Sequence, residues 1–363
     1  MPVSELVLVI MGLLTVAMLA ASLCRNLPIP YTVFLVMIGM SMSALSAKIP
    51  ALSVLQEFQL IPDLVFFIFL PALIFESALT LDARQLLKDV APIFVLAVPA
   101  LVISTLLIGV GIWFYVGLDP ILALLFGALI AATDPVAVVA LFKELGAPTR
   151  LTTLVEGESL FNDATAIVVF HILLGIALAG SFTSADIGHA ALEFFRVFFG
   201  GVLVGSVIGF GIAELMRRIH GSELAIVVMS LVMAYSSFVI AEHLLHVSGV
   251  MATVSAAVTM GFYAITRIPQ GALRSIHETW EVIALVYNSL LFLMIGLSVN
   301  LGVLLDNLDG ILLAALLVLI SRAASIYTLV PATIRLFKLP HVNMGERHYP
   351  LNPGVIRRPT DFS

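Results

Sequence analysis

The chain has 363 residues, of which 61% are hydrophobic and 11% charged, with a net charge of -6 and a mean hydropathy of +1.14. Such a composition repeatedly supplies the apolar runs of about 20 residues that cross about 30 Å of hydrocarbon, which points to a polytopic membrane protein in a lipid bilayer. No basic block suggests a nucleic-acid partner, and a single cysteine, Cys24, excludes an intrachain disulfide framework.

In chain order, hydrophobic spans are expected at about 3–23, 31–47, 61–80, 90–117, 119–143, 155–178, 191–216, 222–245, 247–266, 280–300 and 310–337, eleven in all. The first follows Met-Pro-Val-Ser-Glu with no basic n-region, and reads as a retained span rather than a cleaved signal peptide. Loops after odd-numbered spans hold Arg25, then Arg84 and Lys88, then Lys143 and Arg150, then Arg217 and Arg218, then Arg267 and Arg274. Loops after even-numbered spans hold little beyond Lys48. This positive-inside pattern puts the amino terminus outside and the carboxyl terminus, with Arg335 and Lys338, in the cytoplasm. No soluble domain interrupts the spans, so residues 1–340 read as one transmembrane domain and 341–363 as a polar, proline-rich, disordered cytoplasmic tail.

Charge inside a span is costly, so each such residue is a candidate for function. In span three Glu76 follows Pro71, and it either lines a cation route or is an outward-facing or packing acid. Span five is apolar except around Thr133-Asp134-Pro135, where the proline must interrupt the helix and push Asp134 out of the α region. The unwound stretch frees backbone carbonyls beside the Thr133 hydroxyl, hard oxygen donors suited to a small cation, and broken helices at the midplane are where secondary transporters bind their ions. Asp134 either only caps the following half-helix or does so while also serving the site.

Span six carries the densest cluster, Gly157-Glu-Ser-Leu-Phe-Asn-Asp-Ala-Thr-Ala166. Ser159 and Asp163 lie four apart on one helix face, so hydroxyl and carboxylate can ligate one monovalent cation, while Asn162 offers an amide to orient the broken span. Asp163 is the group expected to exchange a proton for a cation, since it has no basic residue within a turn. Glu158 needs a partner at depth, and Arg322 in the last span is the economical choice for a structural ion pair. Gly201, Gly205 and Gly209 form a small-residue seam, either internal or between subunits. His171 reads as bonded to neighbouring backbone rather than as a relay, and metal binding by Glu242, His243 and His246 is a weak signal.

ATDPVAVVALFKELGAP followed a span later by LVEGESLFNDATAIVVF resembles the sodium/proton antiporters of the NhaP and NHE type, the first cation/proton antiporter family. The similarity runs from the first span to about His348, through the acidic Phe-Glu of span three, SRAASIY and Asn-Met-Gly-Glu-Arg-His. It implies an all-α, inverted-repeat antiporter fold of the NhaA/NhaP type with a broken helix. The implied activity is secondary active antiport of sodium, or lithium or potassium, against protons by alternating access, with no cofactor and no enzymatic reaction. Carried over, the pattern makes Asp163 the shared carboxylate, Thr133 and Ser159 cation ligands, Asn162 and Asp134 organisers of the crossing, Glu76 a contributor near the site, and Glu158 with Arg322 a structural pair. It also implies a plasma-membrane location, and a homodimer remains open. Family members continue after Gly-Glu-Arg-His with a second broken helix and a final span, whereas this chain reads PLNPGVIRRPTDFS from Pro350. The expectation is therefore a C-terminally incomplete antiporter, the alternative to an active one being a truncated, non-transporting remnant.

Overall fold

The computed structural model describes residues 3–24, 29–46, 61–135, 149–180, 184–218, 223–264 and 268–337, with positions 138, 139, 142 and 146 between them. The described residues are almost entirely helical: α1 (Val3–Cys24), α2 (Tyr31–Ser46), α3 (Pro62–Thr80), α4 (Ala83–Lys88), α5 (Val90–Val116), α6 (Pro120–Ala131), α7 (Thr149–Ala179), α8 (Ser184–Arg218), α9 (Glu223–Leu244), α10 (Gly249–Ala264), α11 (Gln270–Ser298), α12 (Leu301–Asp306) and α13 (Leu308–Phe337). Eight of these are long and apolar enough to cross a membrane, and three shorter apolar helices, α2, α6 and most of α10, coincide with the remaining expected spans. The polypeptide is an integral membrane protein. The expected tail, and Arg25, Lys48, Lys143, Arg267 and Lys338, lie outside the described residues.

Several helices outrun their hydrophobic segments. α11 begins at Gln270, ten residues before the expected span, because its first turns are held by side chains rather than by lipid. There Arg274 pairs with Glu278 one turn on, 2.7 Å away. Hydrophobicity marks the part of a helix inside hydrocarbon, not where its backbone ladder ends. Two π-helical turns, Val65–Phe69 in α3 and Ile240–Leu244 ending α9, had no sequence signal of their own. The first has a cause in hindsight. Pro71 has no N–H for the Phe67 carbonyl four residues back, and a wider turn relieves the ring against it.

Three buried clusters organise the bundle. The largest joins α3 and α7 to α11 around Phe75, Phe198, Phe238 and Trp280, with the Trp280 indole N–H donating to Ser230 at 2.9 Å. A second holds α1, α2, α3 and α11 through Leu13, Leu35, Phe69 and Leu293. The third joins α5, α6 and α7 through Leu101, Ile108, Ala123 and Ala166, with Leu317 and Val318 of α13 packed on it. The glycine seam is internal. A Cβ on Gly201, Gly205 or Gly209 would collide with Ser248 just before α10 or with Ala252 or Ala256 within it, so the lack of one lets the two backbones touch.

α7 belongs to both the first and third clusters, giving Leu160, Phe161, Ala164 and Val168 to one and Ala166 to the other. Two ionic contacts fix its position. At its start the Arg150 Nε donates to Asp89 at 2.9 Å, while the Gln85 amide also donates to that carboxylate, which is only 3% exposed. The guanidinium beside it holds Asp89 below its usual carboxylate range, against the opposing effect of burial. Farther along, Arg322 of α13 grips Glu158 with both guanidinium nitrogens, each 2.9 Å from a carboxylate oxygen. Glu158 is buried and Arg322 half-buried, so neither charge is left alone in a low-dielectric setting.

These contacts have separable consequences. A carboxylate whose folded-state pKa is depressed contributes stability above its unfolded value of about 3.9 and loses it as pH falls through the folded value. Detergent-solubilised protein should therefore unfold more easily on acidification below about pH 4. Asp89→Asn should cost about 1 to 3 kcal/mol at neutral pH and flatten that acid limb in a thermal-denaturation series. For the second contact, Glu158→Gln or Arg322→Gln alone should destabilise by about 3 kcal/mol, with the double replacement recovering part of the loss. Strictly additive losses in the double-mutant cycle would exclude the coupling.

Candidate functional site

α6 stops where the sequence requires it. Ala132 takes an extended conformation, with ψ at 141°, and residues 132–135 are non-helical. Helical bonding resumes at once, the Val139 amide donating to the Pro135 carbonyl at 2.8 Å. Pro135 lacks an N–H that a first-turn position would leave unpaired anyway. The rest of the expected span five, to residue 143, lies mostly outside the described residues.

The polar face of α7 meets this break. The Ser159 hydroxyl donates to the Thr133 carbonyl at 2.7 Å, and the Asn162 amide approaches the Thr133 hydroxyl at 3.4 Å. Asn162 is 1% exposed, and among the described residues its carbonyl oxygen has no hydrogen-bond partner. Asp163, one residue on, points the other way and opens, with Asp134, onto a cavity of about 660 Å³. Ser77, Thr80, Thr133, Glu156, Ser159 and Asp163 supply most of the polar wall.

Of the sequence candidates, the structure thus brings Thr133, Asp134, Ser159 and Asp163 to one cavity and sets Asn162 behind its wall. It does not place Glu76 in that wall. Glu76 is half-buried on α3, within electrostatic reach of Glu281 on α11. Its neighbours Ser77 and Thr80 line the cavity in its stead. Glu158, one residue from Ser159, is turned away toward Arg322.

Sequence reading passed over Ser77, Thr80 and Glu156. A signal for Glu156 existed: with Ser159, Leu160 and Asp163 it forms an i, i+3, i+4, i+7 stripe on one helical face. Ser77 and Thr80 share the same three-residue spacing. What made them invisible is that hydroxyls are common in spans, where they bond their own helix, as Thr80 does to the Ser77 carbonyl at 2.8 Å.

One expectation for histidine changes. His171 is exposed to a separate cavity, and its ring contacts are with Phe66 and Phe170. The Glu242 carboxylate accepts the Gly249 amide at 2.8 Å at the start of α10. Among the described residues no three His, Cys, Asp or Glu side chains converge on a metal position. Glu242 is a helix cap rather than a metal ligand.

The family model described as the transmembrane sodium/hydrogen exchanger matches residues 13–350. The Na+/H+ antiporter ApNhaP of Aphanothece halophytica is 40% identical over 305 residues, 83% of this chain and 56% of that protein. The low-affinity Na+/H+ antiporter NhaS1 of Synechocystis is 39% identical over 324 residues, covering 87% of this chain and 59% of its own. The chain thus spans a little over half the length of these curated relatives. Among solved structures, the sodium proton antiporter MjNhaP1 of Methanocaldococcus jannaschii superposes with a TM-score of 0.74 over 94% of this chain and 80% of its own. At 20% identity that likeness speaks for the fold alone. With a family match over most of its length and an NhaP-type antiporter fold, the chain belongs to the sodium/hydrogen exchanger family.

Proposed function

We propose that this protein exchanges a monovalent cation, sodium foremost, for protons by alternating access, with Asp163 as the carboxylate both ions share. The observation that carries the reading is the convergence of Asp163, Ser159 and Thr133 on one cavity at a helix break. A carboxylate open to a cavity and ringed by hydroxyls can take a proton or coordinate a small cation with oxygen donors, but not hold both at once. Ser159 keeps its lone pairs for the cation while its proton goes to the Thr133 carbonyl. Asn162 holds the break in register, Asp134 helps organise the crossing, and Glu76 adds negative charge nearby.

The names of the relatives support this reading, since ApNhaP and NhaS1 are both Na+/H+ antiporters. The cavity opens beside Thr80 and Glu156, at the end of the bundle that also carries Arg84, Lys88 and Arg150. Under the positive-inside rule that end is cytoplasmic and the amino terminus outside. The state is then inward-open, in a plasma membrane.

Asp163→Asn should abolish sodium-dependent proton movement while leaving the membrane level of the protein nearly unchanged. Everted vesicles loaded with a pH-sensitive dye measure this directly. Exchange near the wild-type rate in the variant would remove Asp163 from the mechanism. Absence of exchange in the 363-residue chain itself, at matched membrane levels, would favour the non-transporting alternative.

A further inference from the structure

A second cavity of about 660 Å³ lies at the opposite end of α7 from the Asp163 cavity. Along α7 the first cavity is lined from Glu156 to Asp163 and the second from Val168 to Ala179, so the two open toward opposite ends of the bundle. Only four residues lie between Asp163 and Val168, which stand about 7.5 Å apart along the helix axis. Of that plug, Ala164 and Thr165 are completely buried.

The wall of the second cavity is unlike a lipid-facing groove. It holds His171 from α7, His189 and Glu193 from α8, and Glu242 and His246 from the end of α9 and the loop after it. Three of the eight histidines of the chain therefore meet in one place. α3 adds only the Phe66 ring against His171. Among the described residues the further charge at hand is Arg196, 3.3 Å from Glu193 and largely exposed, while His243 lies on the same π-turn outside the wall.

The backbone there is built, not loose. α9 ends in a π-helical turn at Ile240–Leu244. His246 follows in the left-handed region at φ 52°, the one non-glycine residue with positive φ among those described. Val247 and Ser248 donate to the carbonyls of Ala241 and Val197 at 2.9 and 3.0 Å. A histidine held in a sparsely populated conformation by surrounding hydrogen bonds marks a constraint worth relating to function. The side chains stand around the wall and do not converge on a metal position.

We propose that this cavity is a proton-responsive vestibule, in which the charge of His171, His189 and His246 sets whether small cations or anions collect at that mouth. With the histidines neutral, Glu193 and Glu242 against Arg196 leave one net negative charge; with all three protonated the wall carries two net positive charges. Histidine is the side chain suited to change charge across the physiological pH range. Alkaline conditions at that face therefore concentrate monovalent cations within reach of the plug, and acid conditions repel them before they reach Asp163. This last consequence rests on the antiport reading; the reversal of the field does not.

The test measures the field directly. Gly175 lines the cavity, and a Cβ there meets nothing within 4 Å. Gly175→Cys in the full chain, with Cys24→Ser, can be reacted in membranes with a cationic and an anionic methanethiosulfonate of equal size. Their rate ratio cancels the pH-dependent thiolate fraction. Between pH 8 and pH 5.5 the cation-to-anion ratio should fall at least about fivefold, and the swing should vanish in His171→Gln, His189→Gln, His246→Asn. Asparagine is used at 246 because it tolerates the left-handed conformation. Should the triple variant fail to reach the membrane, each single variant is expected to remove part of the swing. A ratio constant with pH, or a swing that survives loss of the histidines, overturns the proposal. Sodium-driven proton movement in the same vesicles separates the two readings: a histidine-dependent swing without exchange retains the vestibule and removes the antiport.

Discussion

Extended backbone at membrane depth presents carbonyls and amides that lipid cannot satisfy, and each one left bare costs several kcal/mol. The break at Ala132–Pro135 is such a stretch. The Ser159 hydroxyl answers the Thr133 carbonyl at 2.7 Å, and the Asn162 amide sits over the Thr133 hydroxyl. Because these partners come from α7, the position of α7 decides whether α6 can be broken at all. The rest of the bundle serves that requirement. Asp89 holds the start of α7 through Arg150, Arg322 holds its middle through Glu158, and its two apolar faces enter separate buried clusters.

The same contact explains why the polar residues of α7 divide as they do. About two turns of one helix present Glu156, Ser159 and Asp163 to a cavity, Asn162 to the break and Glu158 to an arginine. Adjacent residues on a helix point about 100° apart, so Glu158 and Ser159, or Asn162 and Asp163, reach different surroundings though they touch in sequence. A dense polar motif of this kind is several interactions interleaved. Only one stripe of that motif faces the cavity, while Asn162 and Glu158 tie the helix to its neighbours.

The helix break, the span pattern and the acidic cluster were legible because each is forced locally. Apolar length reports membrane thickness, a proline inside a span must break the ladder, and a carboxylate in hydrocarbon announces itself by its cost. Ser77 and Thr80 were not legible, since a hydroxyl that bonds its own helix looks the same in sequence whether or not a cavity passes by it. Nor was the displacement of Glu76 from the cavity wall, which depends on the rotation of α3 about its axis. His171 reads as a lone buried histidine until α8 and the end of α9 are folded around it, when His189 and His246 arrive from 18 and 75 residues away.

The sequence by itself determined that this is a multi-span membrane protein with a broken fifth span, a charged sixth span and the motifs of the sodium/hydrogen exchangers. These follow from the period, length and chemistry of contiguous residues. Tertiary structure alone decided which faces of α3 and α7 line the cavity, that the glycine seam of α8 closes on α10 within one chain, and that three distant histidines line one second cavity. Those outcomes depend on helix rotation and helix pairing. In lipid both are set by close packing and polar satisfaction between helices, and no single segment contains that information.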